Sequence, residues 1–331
     1  ALLEEGRDNL LMAVHQQEDC FGLAIMDISG GRFSLSEVKD EESLQSELER
    51  LKPAEILYNE DAQLDNVLSG RSGLRAQAPW HFELESAERQ LCQQFKVQDL
   101  SGFGCDHLKI ALCAAGCLLQ YAKDTQRNDL PHIRRLQIEQ RSESVLLDAA
   151  TRRNLEIDLN LNGGKDNTLA AVIDKCKTPM GSRLLRRWLN RPLRSRDVLM
   201  ARQGALRWLK ENYRYESLAV SLRQIGDTER ILTRVALRSA RPRDLERLKN
   251  ALNTLPDVQQ QLTDNDAPRL SELAEQISTF DNLAKLLSRA VIDNPPVVIR
   301  DGGVIAEGYD DELDELRGIS ENAGAYLVDM E

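Results

Sequence analysis

The chain has 331 residues, 41% of them hydrophobic and 29% charged, with a formal net charge of −11. That length exceeds one ordinary core and suits two domains. No run of eighteen apolar residues is present to span a membrane, and the start, Ala1-Leu2-Leu3-Glu4-Glu5, lacks the basic-then-apolar pattern of a secretory signal. The missing initiator Met suggests a piece of a longer protein.

The net acidity argues at first against a polyanionic partner, but it is a sum of unlike parts. Residues 1–60 hold fourteen acids against five bases, and residues 260–331 sixteen against five. Between them, residues 175–247 hold nineteen bases against seven acids. A chain with so concentrated a basic centre can still face nucleic acid.

In chain order, Phe21 to Ile28 is short and β-rich, Ser29-Gly30-Gly31-Arg32 turns, and Phe33 to Glu37 alternates, which predicts a β-hairpin. Leu44, Leu48 and Leu51 mark a helix that Pro53 stops before a strand at Glu55-Ile56-Leu57-Tyr58. Leu84, Ala87, Leu91 and Phe95 fall at helical spacing, and Asp106 suits the cap of a buried helix from Leu108 to Lys123. This is one α/β domain, from residue 9 to about 130. After a connection around Leu130 to Glu143 the pattern turns helical. Met180, Leu184, Leu185, Trp188 and Leu189 make one apolar face. Pro242 opens a helix through Leu245, Leu248, Leu252 and Leu255. Leu270, Leu273, Ile277, Phe280, Ala284 and Leu287 make a long stripe, and Val297 to Ile305 reads as a small hairpin. A last helix carrying Leu313, Leu316, Ile319, Ala323, Leu327 and Met330 is still running where the chain stops, so a cut within a helix is expected.

Chemistry is sparse. The six cysteines (20, 92, 105, 113, 117 and 176) form no CxxC pair, which points to buried free thiols in a reducing cytoplasm rather than to a metal site. Gly163-Gly164-Lys165-Asp166 comes nearest to a phosphate-binding loop. It has Leu159 where the first Gly must be and Asp166 where Ser or Thr must hold Mg²⁺, so it reads as a turn. His15, His81, His107 and His132 are scattered and suit structural roles. Asp27, near the end of the first strand read above, stands where RNase H-type nucleases keep a metal-binding Asp; a solvent-facing strand residue is the plainer reading, since no spacing picks out converging partners.

The basic centre is the best physical lead. Arg183, Arg186, Arg187, Asn190 and Arg191 share one helix face opposite Trp188. Arg230, Arg234 and Arg238 repeat every four residues as a second stripe, followed by Arg241 and Arg243. Guanidinium forks suit phosphates, but no aromatics are interleaved to stack bases, and the same arginines could pair with the acidic flanks, Asp227 and Glu229. DNA contact and interdomain ion pairing both stay open for Arg183, Arg186, Arg187, Arg191, Arg230, Arg234 and Arg238.

Five segments carry a resemblance to a known family. Residues 114–126 (AAGCLLQYAKDTQ), 148–157 (DAATRRNLEI), 178–193 (TPMGSRLLRRWLNRPL), 226–237 (GDTERILTRVAL) and 300–309 (RDGGVIAEGY) resemble the bacterial MutS mismatch-repair family, in its order and spacing, from about Leu3 to Glu331. The resemblance implies a multidomain α/β plus all-α protein: an RNase H-like connector without nuclease activity at 1–135, then the first portion of a helical core or lever at 136–331, stopping before the DNA clamp. It also implies a role in mismatch repair that couples an ATP-driven change to the clamp and to recruitment of a MutL-type partner through the connector. ATP and Mg²⁺, mismatched double-stranded DNA and homodimerisation would belong to the full protein. No cofactor and no catalysis are expected of this segment, since the ATPase loop is absent and so is the family's Phe-x-Glu mismatch reader, which Phe82-Glu83-Leu84-Glu85 misses. A connector favours true mismatch repair over the branch that acts against recombination. The readings from other classes are a metal-dependent RNase H-like nuclease using Asp27, and a stand-alone basic DNA-binding module built on the arginine stripes.

Overall fold

A computed structural model describes residues 4–321, in two compact units. One comprises the residues up to Arg207 with Leu232–Ser239; the other comprises Trp208–Ile231 and the residues from Ala240 onward.

The first unit is built on a six-stranded mixed sheet. Its strands are β1 (Leu10–Gln17), β2 (Cys20–Asp27), β3 (Arg32–Val38), β4 (Glu55–Asn59), β5 (Leu74–Gln77) and the two-residue β6 (Gln137–Ile138), in the order β5-β4-β1-β2-β3-β6. β1, β2 and β3 form an antiparallel meander, while β4 and β5 join β1 in parallel, which is the strand order of an RNase H-like fold. The expected β2–β3 hairpin forms, with Asp27 opposite Arg32 across it. β1, however, precedes it, so Asp27 ends the second strand and not the first.

Both faces of the sheet are covered, as the near-continuous apolar runs of β1 and β2 require. On one face Met12, Val14, Leu23 and Ile25 pack under Leu44 and Leu48 of α1 (Glu41–Leu51) and Val67 and Leu68 of α2 (Asp65–Leu68). On the other, Ala13, Ala24 and Leu57 meet α3 (Leu84–Phe95) and α4 (Lys109–Gln126), which is buried continuously from Ala111 to Leu119. The expected cap, Asp106, does not cap α4. Glu37 of β3 does so instead, accepting from the Ile110 and Ala111 amides at 3.0 and 3.1 Å. The helix start lies directly on β2, so a Cβ on Gly22 would come within 2.2 Å of the Ile110 carbonyl carbon.

The same unit continues into short helices, α5 (Ala149–Asn154) and α6 (Leu169–Ile173), then α7 (Pro179–Asn190) and most of α8 (Arg196–Lys210). Asp148, Thr168 and Thr178 cap α5, α6 and α7 through their side-chain oxygens. The Gly163-Gly164 stretch is a turn organised by Asn160, whose Oδ1 accepts from the Gly164 amide at 2.8 Å.

The second unit is helical: α9 (Arg214–Gln224), the first part of α10 (Thr228–Ala236), the 20-residue α11 (Pro242–Gln261), α12 (Pro268–Gln276), α13 (Asp281–Ala290) and α14 (Asp311–Glu321). Leu248 and Leu252 of α11 pack with Ile231, Ala284 and Leu287. The buried Lys249 donates to the Val291 carbonyl at 3.0 Å and to Asp293 at 2.6 Å. Two expectations fail here. The stripe from Leu270 to Leu287 is broken between α12 and α13, where Phe280 takes a left-handed conformation (φ 51°) and is 56% exposed. The Val297–Ile305 hairpin is replaced by a 3₁₀ turn at Ile299–Asp301, and Ile305 bridges back to Val291 instead. In the last expected helix, Ala323, Leu327 and Met330 lie outside the described residues.

Candidate functional site

Three arginines of the first stripe, Arg183, Arg186 and Arg187, lie on one well-ended helix, and the fourth, Arg191, is its C-terminal cap. Thr178 caps α7 by accepting from the Gly181 amide at 3.0 Å, and Pro179 supplies its first turn. The apolar pattern predicts that Leu184 and Trp188 turn inward. The structure reverses this: Arg183 is the buried residue of α7, at 1% exposure, while Leu184 and Trp188 are each 41% exposed. Arg202 of α8 stacks on the Trp188 ring, its guanidinium carbon 3.5 Å from the centroid.

The reason is Asp8, just ahead of β1. Its carboxylate receives Arg187 at 3.3 Å, Arg183 at 3.9 Å and, from the sheet, Arg32 at 2.6 Å. Positions four apart on a helix share a face, so Arg183 and Arg187 reach the same acid together. Arg183 also donates to the Glu5 carbonyl at 2.8 Å. Burial raises the Asp8 carboxyl above its ordinary range, with help from nearby Asp27, against the opposing pull of Arg32, Arg187 and Arg183.

The remaining members extend the network in both directions. Arg186 pairs with Asp174 at 2.6 Å, and Ser182 donates to the same carboxylate at 3.0 Å. Burial works to raise Asp174, but Arg186 and Ser182 prevail and hold it below the ordinary aspartate value. Arg191 meets Glu143 at 3.4 Å and Glu139 at 3.8 Å. Glu139 follows the edge strand β6 and also receives Arg50 of α1 at 2.8 Å, while Arg50 in turn pairs with Glu47 at 2.6 Å. Burial opposes ionisation of Glu139, yet Arg50 and Arg191 depress its pKa overall. Asn190 donates to Asp158 and to the Arg186 carbonyl.

The second stripe does not form as the spacing predicts. Arg230 is buried beside Asp227 at 3.7 Å, Arg234 is half-buried, and Arg238 lies past the end of α10 in a left-handed conformation (φ 55°), exposed. The structure therefore does not bring Arg230, Arg234 and Arg238 onto one helical face.

Asp27 is buried at 1% exposure, where a solvent-facing side chain was expected. Its Oδ1 accepts from the Ser29 hydroxyl at 2.7 Å and the Gly30 amide at 3.1 Å, which closes the β2–β3 turn, and Arg32 lies 3.5 Å from Oδ2. Among the described residues no three His, Cys, Asp or Glu side chains are placed together to hold a metal ion. All six cysteines are free; Cys105, Cys113 and Cys117 are buried, whereas Cys176 is exposed, contrary to the expectation for it. Burial pushes the Cys113 and Cys117 thiols up to about 11 and about 12. His15 stacks on Phe82 with centroids 5.1 Å apart, and His132 bonds the Ile28 carbonyl at 2.9 Å, so both serve the packing. The sequence reading named the arginines of α7 but missed Asp8, Asp174, Glu139 and Arg50, which no spacing relates to them.

An RNase H-like α/β domain whose sheet is ion-paired to the first helices of a following helical region defines a multidomain protein with a built interdomain joint. Residues 9–134 match the family model for MutS domain II and residues 150–330 that for MutS domain III. The chain belongs to the MutS family of mismatch-repair proteins and carries its connector and core domains.

Proposed function

We propose that this chain is the coupling segment of a cytoplasmic mismatch-repair ATPase, with the connector over residues 1–135 and the lever over 136–331. In the whole, homodimeric protein, ATP binding with Mg²⁺ reorients the lever, changes the grip on mismatched double-stranded DNA and presents the connector to a MutL-type partner. The segment itself supplies no catalytic group and no cofactor site. Its arginines Arg183, Arg186, Arg187 and Arg191 act as an interdomain clasp, while Arg230, Arg234 and Arg238 belong to the lever. One observation carries this reading: Asp8, just ahead of β1, holds Arg183 and Arg187 of α7, and Glu139, just after β6, holds Arg191 at the end of that helix. Such a chain of paired, part-buried charges has discrete arrangements, made or broken, and so can transmit a switch between distant sites.

The test is made in a full-length protein bearing this segment. Asp8→Asn with Glu139→Gln should leave mismatch binding intact but shrink the ATP-induced change in duplex affinity by about fivefold or more, the usual scale of a coupling between sites. An ATP response identical to wild type would sink the proposal. MutL capture through exposed connector surface, of which Trp80 at 71% exposure is one feature, predicts loss of capture for some surface substitutions there. Mg²⁺-dependent cleavage of duplexes or hybrids, abolished by Asp27→Asn, would overturn the non-catalytic reading.

A further inference from the structure

Two adjoining cavities, of about 400 and 170 Å³, lie where α1 faces α5 and α7, and Arg50, Lys52, Asp158, Leu159 and Asn190 line both. Together their walls carry eleven cationic side chains and five carboxylates. Glu4, Glu47, Glu143 and Asp174 pair with lining arginines from behind.

Arg152 and Lys52 stand apart in this set. Arg152 is half-buried, yet its donors go to neutral acceptors: the Asn190 side-chain oxygen at 3.0 Å, the Asn190 carbonyl at 2.7 Å and the Leu147 carbonyl at 3.2 Å. Among the described residues no carboxylate lies within ion-pair distance of Arg152 or of Lys52. Burial and the nearby charge of Arg50 depress the Arg152 guanidinium, against the opposing pull of Glu47 and Asp158. Lys52, exposed at the C-terminal cap of α1, stands at the mouth shared by both cavities. A half-buried guanidinium with only neutral acceptors, beside an exposed ammonium, is stabilised by an anion with several oxygens to accept their donors.

We propose that this double cavity binds a small multivalent oxyanion, a phosphate-bearing molecule no larger than a mononucleotide, with Lys52, Arg152 and Arg50 as its principal cations. At about 400 and 170 Å³ the recess suits a small ligand rather than a nucleic-acid backbone. Lys52 and Arg50 come from the part matched to domain II, and Arg152 and Asn190 from the part matched to domain III. Occupancy would therefore bolt the two domains together and favour the closed joint.

The test uses the 331-residue chain with pyrophosphate as the probe, followed by calorimetric titration and by the thermal midpoint against sodium chloride of equal ionic strength. Pyrophosphate should bind and raise the midpoint beyond chloride, and Arg152→Gln should weaken binding about tenfold, the scale of one charged hydrogen bond. Lys52→Gln, at an exposed position that leaves the packing untouched, should weaken it comparably, which guards against a misfolded Arg152 variant. Orthophosphate and adenosine monophosphate arms separate a bare phosphate from a nucleotide as the occupant. No stabilisation beyond chloride, or binding that both variants retain, would overturn the proposal. So would binding confined to duplex DNA, which would reassign these cations to a polymer backbone.

Discussion

Arg183 and Arg238 look alike in the sequence, each an arginine in a basic stripe, but they sit in opposite surroundings. Arg183 has no side-chain exposure and helps to hold Asp8, whereas Arg238 is exposed beyond the end of α10. Arg183→Met should cost about 3 kcal/mol, since it leaves the part-buried Asp8 short of one of its three arginines and the Glu5 carbonyl without that donor. Arg238→Ala should stay within about 0.5 kcal/mol of wild type. Urea midpoints of the two variants check this contrast; similar losses would contradict it. The positions of the α7 arginines were legible in the sequence because helical spacing is a local property. Their partners were not, because Asp8, Glu139 and Asp174 are brought to α7 by the tertiary fold, and nothing in the spacing between them records it.

Among the elements, α4 shows how a helix is fixed by what it lies against. The start of α4 rests on Gly22 of β2, and Gly116 lies against Ala87 of α3, where an added Cβ would meet the Ala87 Cβ at 2.4 Å. Gly22→Ala should destabilise by about 3 kcal/mol, because backbone rather than a flexible side-chain tip stands in the way. Chemical denaturation measures it, and a loss under about 1 kcal/mol would mean that the α4–β2 packing yields more easily than its geometry allows. The helices with strong local signals, α1, α3, α4 and α11, were readable from apolar spacing and Pro53 or Pro242. Two elements misled for definable reasons. The α12–α13 stripe keeps helical spacing across a break that Phe280 makes by leaving helical conformation, and α7 turns its basic face inward because ion pairing outweighs burial of Leu184 and Trp188.

At the scale of the molecule, acidic N-terminal residues and arginines of the basic centre meet within the first compact unit, which extends to Arg207. That meeting sets a pH response. Burial depresses the His15 and His132 imidazoles from 6.5, so each folded ring stays neutral where the unfolded ring is charged. Their contribution is complete above 6.5 and drains as pH falls through the lower folded values. Glu139 and Asp174 are also held below their ordinary values, so their contribution is present above 4.5 and 3.8 respectively and is lost on further acidification. Urea midpoints should fall in two stages below pH 6.5, and Gln at both histidines should erase the first; a single late decline in wild type would refute the assignment.

The Glu37 carboxylate that closes the start of α4 belongs to β3, 73 and 74 positions earlier in the chain. The orphan amides of that helix therefore cannot be satisfied until the meander has assembled. Secondary structure here waits on topology: a ribosome must deliver most of the connector before its central helix can be finished, and the nascent domain matures as one late, cooperative event.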